Sequence, residues 1–241
     1  FVDEDVKKKT QLDAIVTVAD ALNLRKRLED SEEAVEQIAF ADVVLLNKTD
    51  LVSKDDLAAI ERRIRALNPT ARIHRMTRGD IALDKIMGLA AFDLNRVTEI
   101  DPHFLPDHDC DTSCDHHHDH DHHHHHDHGH GQALDPNRHE GGIESISIST
   151  DRPVDVKKFQ KWVSDTLQEK GADILRSKGI LALPNADKRY VFQGVHMLID
   201  ADWGEAWKAG EKRKSKIVFI GRKLDRATLE KGFAACLMPA A

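Results

Sequence analysis

The chain has 241 residues, 40% hydrophobic and 32% charged, which is ordinary for one or two globular domains. Its formal charge of -7 is local, because residues 107–130 hold seven Asp and no Lys, Arg or Glu; the balanced remainder argues against a nucleic-acid partner. No apolar run reaches membrane-spanning length and three cysteines are too few for a disulfide scaffold, so no membrane partner and a cytoplasmic location are expected.

The chain opens on Phe1 and a polar stretch to residue 11, with no signal peptide, and reads as part of a longer protein. Ala14 to Ala19 is a short apolar run that predicts a buried parallel strand ending in Asp20. Asp30, with Glu33 three residues on, has capping-box spacing and predicts a helix through about Phe40, with Val35 and Ile38 inward. Val43-Val44-Leu45-Leu46 has no polar alternation and predicts a second strand buried on both faces. Ser53 or Asp55 can cap a helix whose Leu57, Ile60, Ile64 and Leu67 recur at helical spacing, until Asn68-Pro69 stops it. Ala71 to Met76 is a third strand, Thr77-Arg78-Gly79-Asp80 a turn, and Ile81 to about Leu89 a further helix.

Residues 101–142 differ in kind. Between Asp101-Pro102 and Gly141-Gly142 almost nothing can pack a core, so disorder without metal is expected. From Ile143 the pattern is globular again. Glu144–Ser149 alternates as a half-buried strand, and Val156, Phe159, Trp162, Val163 and Leu167 mark an amphipathic helix ended by Gly171. Strands are expected at Leu175–Leu183, Arg189–Ile199 and Lys216–Ile220, with Asp225 capping a last helix. That order, β-α-β-β-β-α, predicts one sheet covered by two helices. Trp203 and Trp207 should pack this domain, Cys236 should be an inert core thiol, His196 should be a packed strand residue rather than a ligand, and His74 is given no role.

Two stretches carry chemistry. Asn47-Lys48-Thr49-Asp50 follows the second strand, and ligands of parallel sheets bind beyond the carboxyl ends of strands. A carboxylate accepts from both the N1–H and the exocyclic amine of guanine, so Asp50 suits base selection. The stem of Lys48 can lie against the base, and Asn47 can tie neighbouring loops or reach the base. Thr77 lies one β-α-β unit further on, where a second guanine-contacting loop is expected. The other stretch is Cys110 and Cys114 followed by eleven histidines: His116, His117, His118, His120, His122, His123, His124, His125, His126, His128 and His130. Imidazole and thiolate are ligands of zinc, cobalt, nickel and copper, and the interleaved Asp can orient imidazoles. Many near-equivalent ligand sets predict several labile ions rather than one closed site. Protons should compete for them below about pH 6.5.

The combination of Gln37 to Leu51, Thr77 to Asp80, the His-rich stretch, Phe192-Gln193-Gly194-Val195 and Lys216 to Arg222 resembles the CobW-type P-loop GTPases, over nearly the whole chain. The resemblance implies an α/β fold: the C-terminal part of a parallel-sheet GTPase domain (1–100), a His/Asp-rich metal-binding linker (101–142) and a small α+β CobW C-terminal domain (143–241). It implies a GTP-dependent metal chaperone or insertase, with GTP and Mg2+ bound, Zn2+ or Co2+ as cargo, and a client metalloprotein or metal-insertion complex as partner. No Gly-x-x-x-x-Gly-Lys-Ser/Thr and no Cys-x-Cys-Cys occurs in the 241 residues. The expectation is therefore a GTPase fragment lacking its N-terminal P-loop region, inactive alone, with no catalytic residue in this chain. The alternatives are a non-catalytic metal-buffering or storage protein with a vestigial nucleotide domain, and a regulatory GTPase with an incidental linker.

Overall fold

The computed structural model describes residue 10, residues 12–91 and residues 142–239. The first part is a three-stranded parallel sheet, order β1-β2-β3, built from β1 (Val16–Asp20), β2 (Val43–Asn47) and β3 (Arg72–Arg75). Helices α1 (Leu24–Asp30), α2 (Glu32–Phe40) and α3 (Lys54–Leu67) connect the strands. The central strand β2 is buried from Val43 to Leu46, as its unbroken apolar run requires. Val44 and Leu46 face α2 and α3, packing with Val35, Ile38, Ile60 and Ile64, while Val43 and Leu45 meet Met76 and Leu89 on the other face.

Ser53 caps α3, its hydroxyl accepting from the Asp56 N–H at 3.1 Å, and the four apolar residues expected to face inward are buried. Asn68 ends the helix and spends its side chain on the fold. Its amide donates to the carbonyls of Ile38 and Ala41 at 2.9 Å, and its oxygen accepts from the Thr70 N–H at 3.0 Å.

Three expectations for this half are corrected. The cap of α2 is Ser31, which accepts from the Ala34 N–H at 3.2 Å, because Asp30 closes the unforeseen helix α1. Among the described residues β1 is the edge of the sheet and is buried on one side only, with Val18 63% exposed; the residues packed on that face, Met76 and Leu89, sit over β2. Ile81–Leu89 forms only a 3-10 turn, Leu83–Lys85. Gly88 and Ala90 turn left-handed at φ 70° and 46°, which breaks the helix, and Ile81, Ile86 and Leu89 reach the β2 cluster from an irregular segment.

The second part is an antiparallel sheet of order β4-β8-β5-β6-β7: β4 (Ile143–Thr150), β5 (Ile174–Leu181), β6 (Lys188–Val195), β7 (Leu198–Ala206) and β8 (Ser215–Arg222). Helices α4 (Val156–Lys170) and α5 (Arg226–Ala235) are capped by Asp155 and Asp225. They cover one sheet face over a cluster of Phe159, Phe192, Phe219 and Phe233. Four strands were expected; the fifth arises because a turn at His196-Met197 folds the long run 189–199 into a hairpin. Trp207 lies under the Arg189 guanidinium, 4.6 Å from its ring centre, but Trp203 keeps 42% of its surface exposed beside Tyr190. Cys236 is buried, and burial pushes its thiol up to about 11.

The opposite sheet face does not meet water throughout. Leu175, Val191, Val218 and Ile220 join the core of the first part, so one apolar cluster runs through both. At this junction lies a buried charge group. Asp42, immediately before β2, accepts from Lys178 at 3.0 Å, from Arg176, and from the Ile15 N–H at 3.0 Å. Arg176 also donates to the Phe40 carbonyl, and Arg222 to Glu36. Burial acts to raise the Asp42 carboxyl; Lys178 and Arg176 outweigh it and hold the group below the ordinary carboxylate range.

Candidate functional site

The parallel sheet presents the ends of β1 and β2 side by side, with Asp20 in register with Asn47. Past Asn47 the chain reverses direction through Lys48, which takes a left-handed conformation at φ 60°, and enters a 3-10 turn over Thr49–Leu51. This geometry follows from the sequence: the apolar strand ends where polar residues begin, and the short turn leads to the Ser53 cap of α3.

Three members of the tetrad are held, each from a different side, and the fourth is left open. Asn47 Oδ1 accepts from the Gly79 N–H at 3.3 Å, so it ties the β2 loop to the 77–80 turn. Lys48 Nζ donates to Asp20 Oδ2 at 2.8 Å. Thr49 fixes the loop from below, its N–H and hydroxyl donating to the Met76 carbonyl at 3.4 and 3.2 Å. Asp50 is exposed, and among the described residues its carboxylate takes no hydrogen bond or ion pair. An exposed carboxylate with open lone pairs is an acceptor for a planar pair of donors.

Thr77 closes its turn through its carbonyl, which accepts from the Asp80 N–H at 3.0 Å. Arg78 and Gly79 are left-handed at φ 53° and 77°, the pattern of a primed turn. The Thr77 side chain is exposed on the rim beside Asn47.

Asp20 acquires a role that its position at the end of an apolar run only hinted at. Its carboxylate orients Lys48 and also accepts from the Leu22 N–H and the Asn23 amide, each at 3.0 Å. The bond from Lys48 is the main reason its carboxyl is held below the ordinary range. The sequence signal was available: like Asn47, Asp20 is the first polar side chain at the carboxyl end of a strand.

The expected metal ligands Cys110, Cys114 and His116 to His130 lie outside the described residues. Among the described residues no group of three His, Cys, Asp or Glu is placed to hold a metal ion, and no helix is long and apolar enough to cross a membrane.

A parallel sheet with this loop pair at its carboxyl edge, followed by a helix-covered antiparallel sheet, is the frame of a nucleotide-binding protein with an appended domain. Residues 1–75 match the CobW/HypB/UreG nucleotide-binding domain, and residues 143–237 match the cobalamin synthesis protein cobW C-terminal domain. The chain belongs to the CobW family of P-loop GTPases. It is similar to the zinc chaperone YjiA of Escherichia coli, 27% identical over 237 residues, covering 97% of this chain and 64% of that protein. A zinc chaperone CobW from Pseudomonas aeruginosa is 32% identical over 195 residues, covering 80% of this chain and 44% of the relative. Zinc-regulated GTPase metalloprotein activator 1 of Schizosaccharomyces pombe is 29% identical, covering 94% and 56%. The crystal structure of Zn(II)-bound YjiA GTPase superposes with a TM-score of 0.73 at 25% identity, covering 98% of this chain and 64% of that one. The chain thus spans less than two thirds of the length of these proteins.

Proposed function

We propose that this chain works in GTP-dependent zinc delivery, a nucleotide-controlled switch that holds zinc or passes it to a client metalloprotein. One observation carries the reading: Asn47, Lys48 and Asp50 share a strand-end rim with the 77–80 turn, joined by the Asn47–Gly79 hydrogen bond. In this reading Asp50 accepts from the two donors of the guanine edge, the Lys48 stem lies on the base, and Asn47 and Thr77 set the distance between the two base-contacting loops. The zinc-chaperone names of the relatives support zinc as the cargo.

The proposal divides labour along the chain. Residues 1–100 read the base, residues 101–142 gather metal through Cys110, Cys114 and the histidines from His116 to His130, and residues 143–241 shape client contact. Cobalt is the alternative cargo on ligand chemistry. Hydrolysis, with its Mg2+, belongs to a phosphate-gripping loop that is not among these 241 residues, so no step of it is assigned here. The cytoplasm is the proposed location.

The test is nucleotide selectivity. Saturation-transfer NMR with GDP, ADP and xanthosine diphosphate should give a signal for GDP over ADP. Asp50→Asn should move the preference to the xanthine base, whose carbonyl faces an amide donor instead. Equal signals for GDP and ADP would overturn the guanine assignment. A competing reading, metal buffering without nucleotide control, rests on Cys110, Cys114 and the eleven histidines from His116 to His130. Zinc dialysis separates the roles: deleting 107–130 should remove most bound zinc, and unchanged stoichiometry would sink the metal-gathering assignment.

A further inference from the structure

We propose that the free edge of β7 is a docking strand for an extended segment of a partner protein in which Lys or Arg alternates with apolar residues. The inference stands on the second domain alone and is independent of the nucleotide reading.

Among the described residues, β7 is the last strand of its sheet and pairs only with β6. The turn between them has two residues, His196 and Met197, with His196 left-handed at φ 51°, so Val195 and Leu198 form the closing pair. Antiparallel pairs alternate between hydrogen-bonded and non-bonded, and the pair closing a two-residue turn is bonded. Counting from it, the backbone N–H groups of Ile199, Ala201 and Trp203 point away from β6, toward the open edge. Two of these outward donors are held by the strand's own carboxylates. The Ala201 N–H donates to Asp200 Oδ1 at 3.0 Å, and the Trp203 N–H to Asp202 Oδ1 at 2.7 Å. These carboxylates occupy the place that the carbonyls of a sixth strand would take. The register shift in this hairpin falls beyond Trp203, between Lys188 and Tyr190 on the partner strand, so residues 198–203 keep a regular ladder edge.

The edge also exposes apolar surface. Met197, Leu198, Ile199 and Trp203 are 61%, 67%, 38% and 42% exposed, four large side chains within seven positions. Strand alternation sets Leu198, Asp200 and Asp202 on one face and Ile199, Ala201 and Trp203 on the other. Cross-strand neighbours on an added strand would therefore be cationic opposite Asp200 and Asp202, and apolar or aromatic opposite Ile199 and Trp203. A cation drawing off each carboxylate frees the amide beneath it for the incoming backbone.

The same aspartates select against a second copy. Antiparallel self-pairing centred on Asp200, Ala201 or Asp202 sets one Asp against another, and like charges directly opposite are destabilising. The occupant that complements this edge is a basic, alternating strand from a different protein.

The probe is a capped synthetic octapeptide of alternating Arg and Val, added to the full chain, with amide exchange followed by NMR. Two control peptides accompany it: four Arg followed by four Val, and alternating Glu and Val. The alternating basic peptide should slow exchange of the Ala201 and Trp203 amides at least tenfold, with little effect from either control. The double variant D200K/D202K, altered at exposed positions, should transfer the protection to the Glu–Val peptide. Equal protection by the block peptide, or no protection by any, would overturn the proposal. So would peptide-free protection that grows with protein concentration, which would identify a second copy as the occupant.

Discussion

Replacing Asp42 by Asn is the most direct test of how the two halves are joined. The carboxylate is 5% exposed and lies between Arg176 and Lys178, whose side chains are 1% and 4% exposed. The amide keeps the shape and can still accept from the Ile15 N–H, but its charge is gone. Two buried cations then lose their shared counter-charge, and breaking a buried pair from one side costs about 3–5 kcal/mol. Against a total stability of about 5–15 kcal/mol this is a large fraction. With a urea slope of about 3 kcal/mol/M, the midpoint should fall by about 1–1.7 M. The loss should concentrate at the junction, so far-UV circular dichroism and Trp fluorescence should part into separate transitions. Adding Lys178→Met, which removes one of the two buried cations, should recover part of the loss. The pH dependence has a definite sign. The Asp42 carboxyl is held below its ordinary value of 3.8, so its contribution is complete above that value and is lost as pH falls through the lower folded-state value. A midpoint change under about 0.3 M for Asp42→Asn, corresponding to less than about 1 kcal/mol, would refute the claim that this group ties the halves together.

Other expectations are local. Ser53→Ala removes the acceptor for the Asp56 N–H and should cost about 1 kcal/mol, read as a lower thermal midpoint. Gly179→Ala sets a Cβ 2.0 Å from Phe192 Cε1 in the filled core of the second sheet; a loss of about 1–3 kcal/mol is expected by denaturation, and a neutral result would contradict the packing. The Cys236 thiol, raised from 9.0 to about 11, should react with a thiolate-selective reagent at pH 8 roughly a hundredfold more slowly than the same residue in urea-unfolded protein. Lys48→Met removes the donor that most lowers the Asp20 carboxyl, so an NMR titration should find that carboxyl moved back up toward 3.8.

Much of the first half was legible from residue order. A four-residue unbroken apolar run that is too short for a helix fits a strand buried on both faces, which made β2 a buried strand and set Asn47 and Asp50 at its carboxyl end. Helix α3 was readable from spacing and from Ser53, because a helix interior and its first unpaired N–H groups impose those residue types locally. Caps and turns less determined by composition went astray. Asp30 and Ser31 are adjacent good caps, and the choice fell to whichever let a second helix, α1, bury Leu24 and Leu28.

Only the tertiary structure could decide the rest. Nothing in the order of residues 175–183 marks Arg176 and Lys178 as buried. They are buried because the face they occupy packs against α2, and their counter-charge, Asp42, is separated from Arg176 by 134 positions. The Lys48–Asp20 pair has the same origin, since parallel register puts neighbouring strand ends together at a sequence separation of 28. The split of 189–199 into a hairpin, and with it the exposed edge of β7, likewise has no local signature, because the turn residues His196 and Met197 are not the Gly, Pro, Asn or Asp that mark turns. The sequence by itself therefore determined which segments must be buried and which tetrad stands at the end of the central strand. The pairing of charges, strand ends and edges required the fold, because those partners are brought together by long-range packing rather than by local preference.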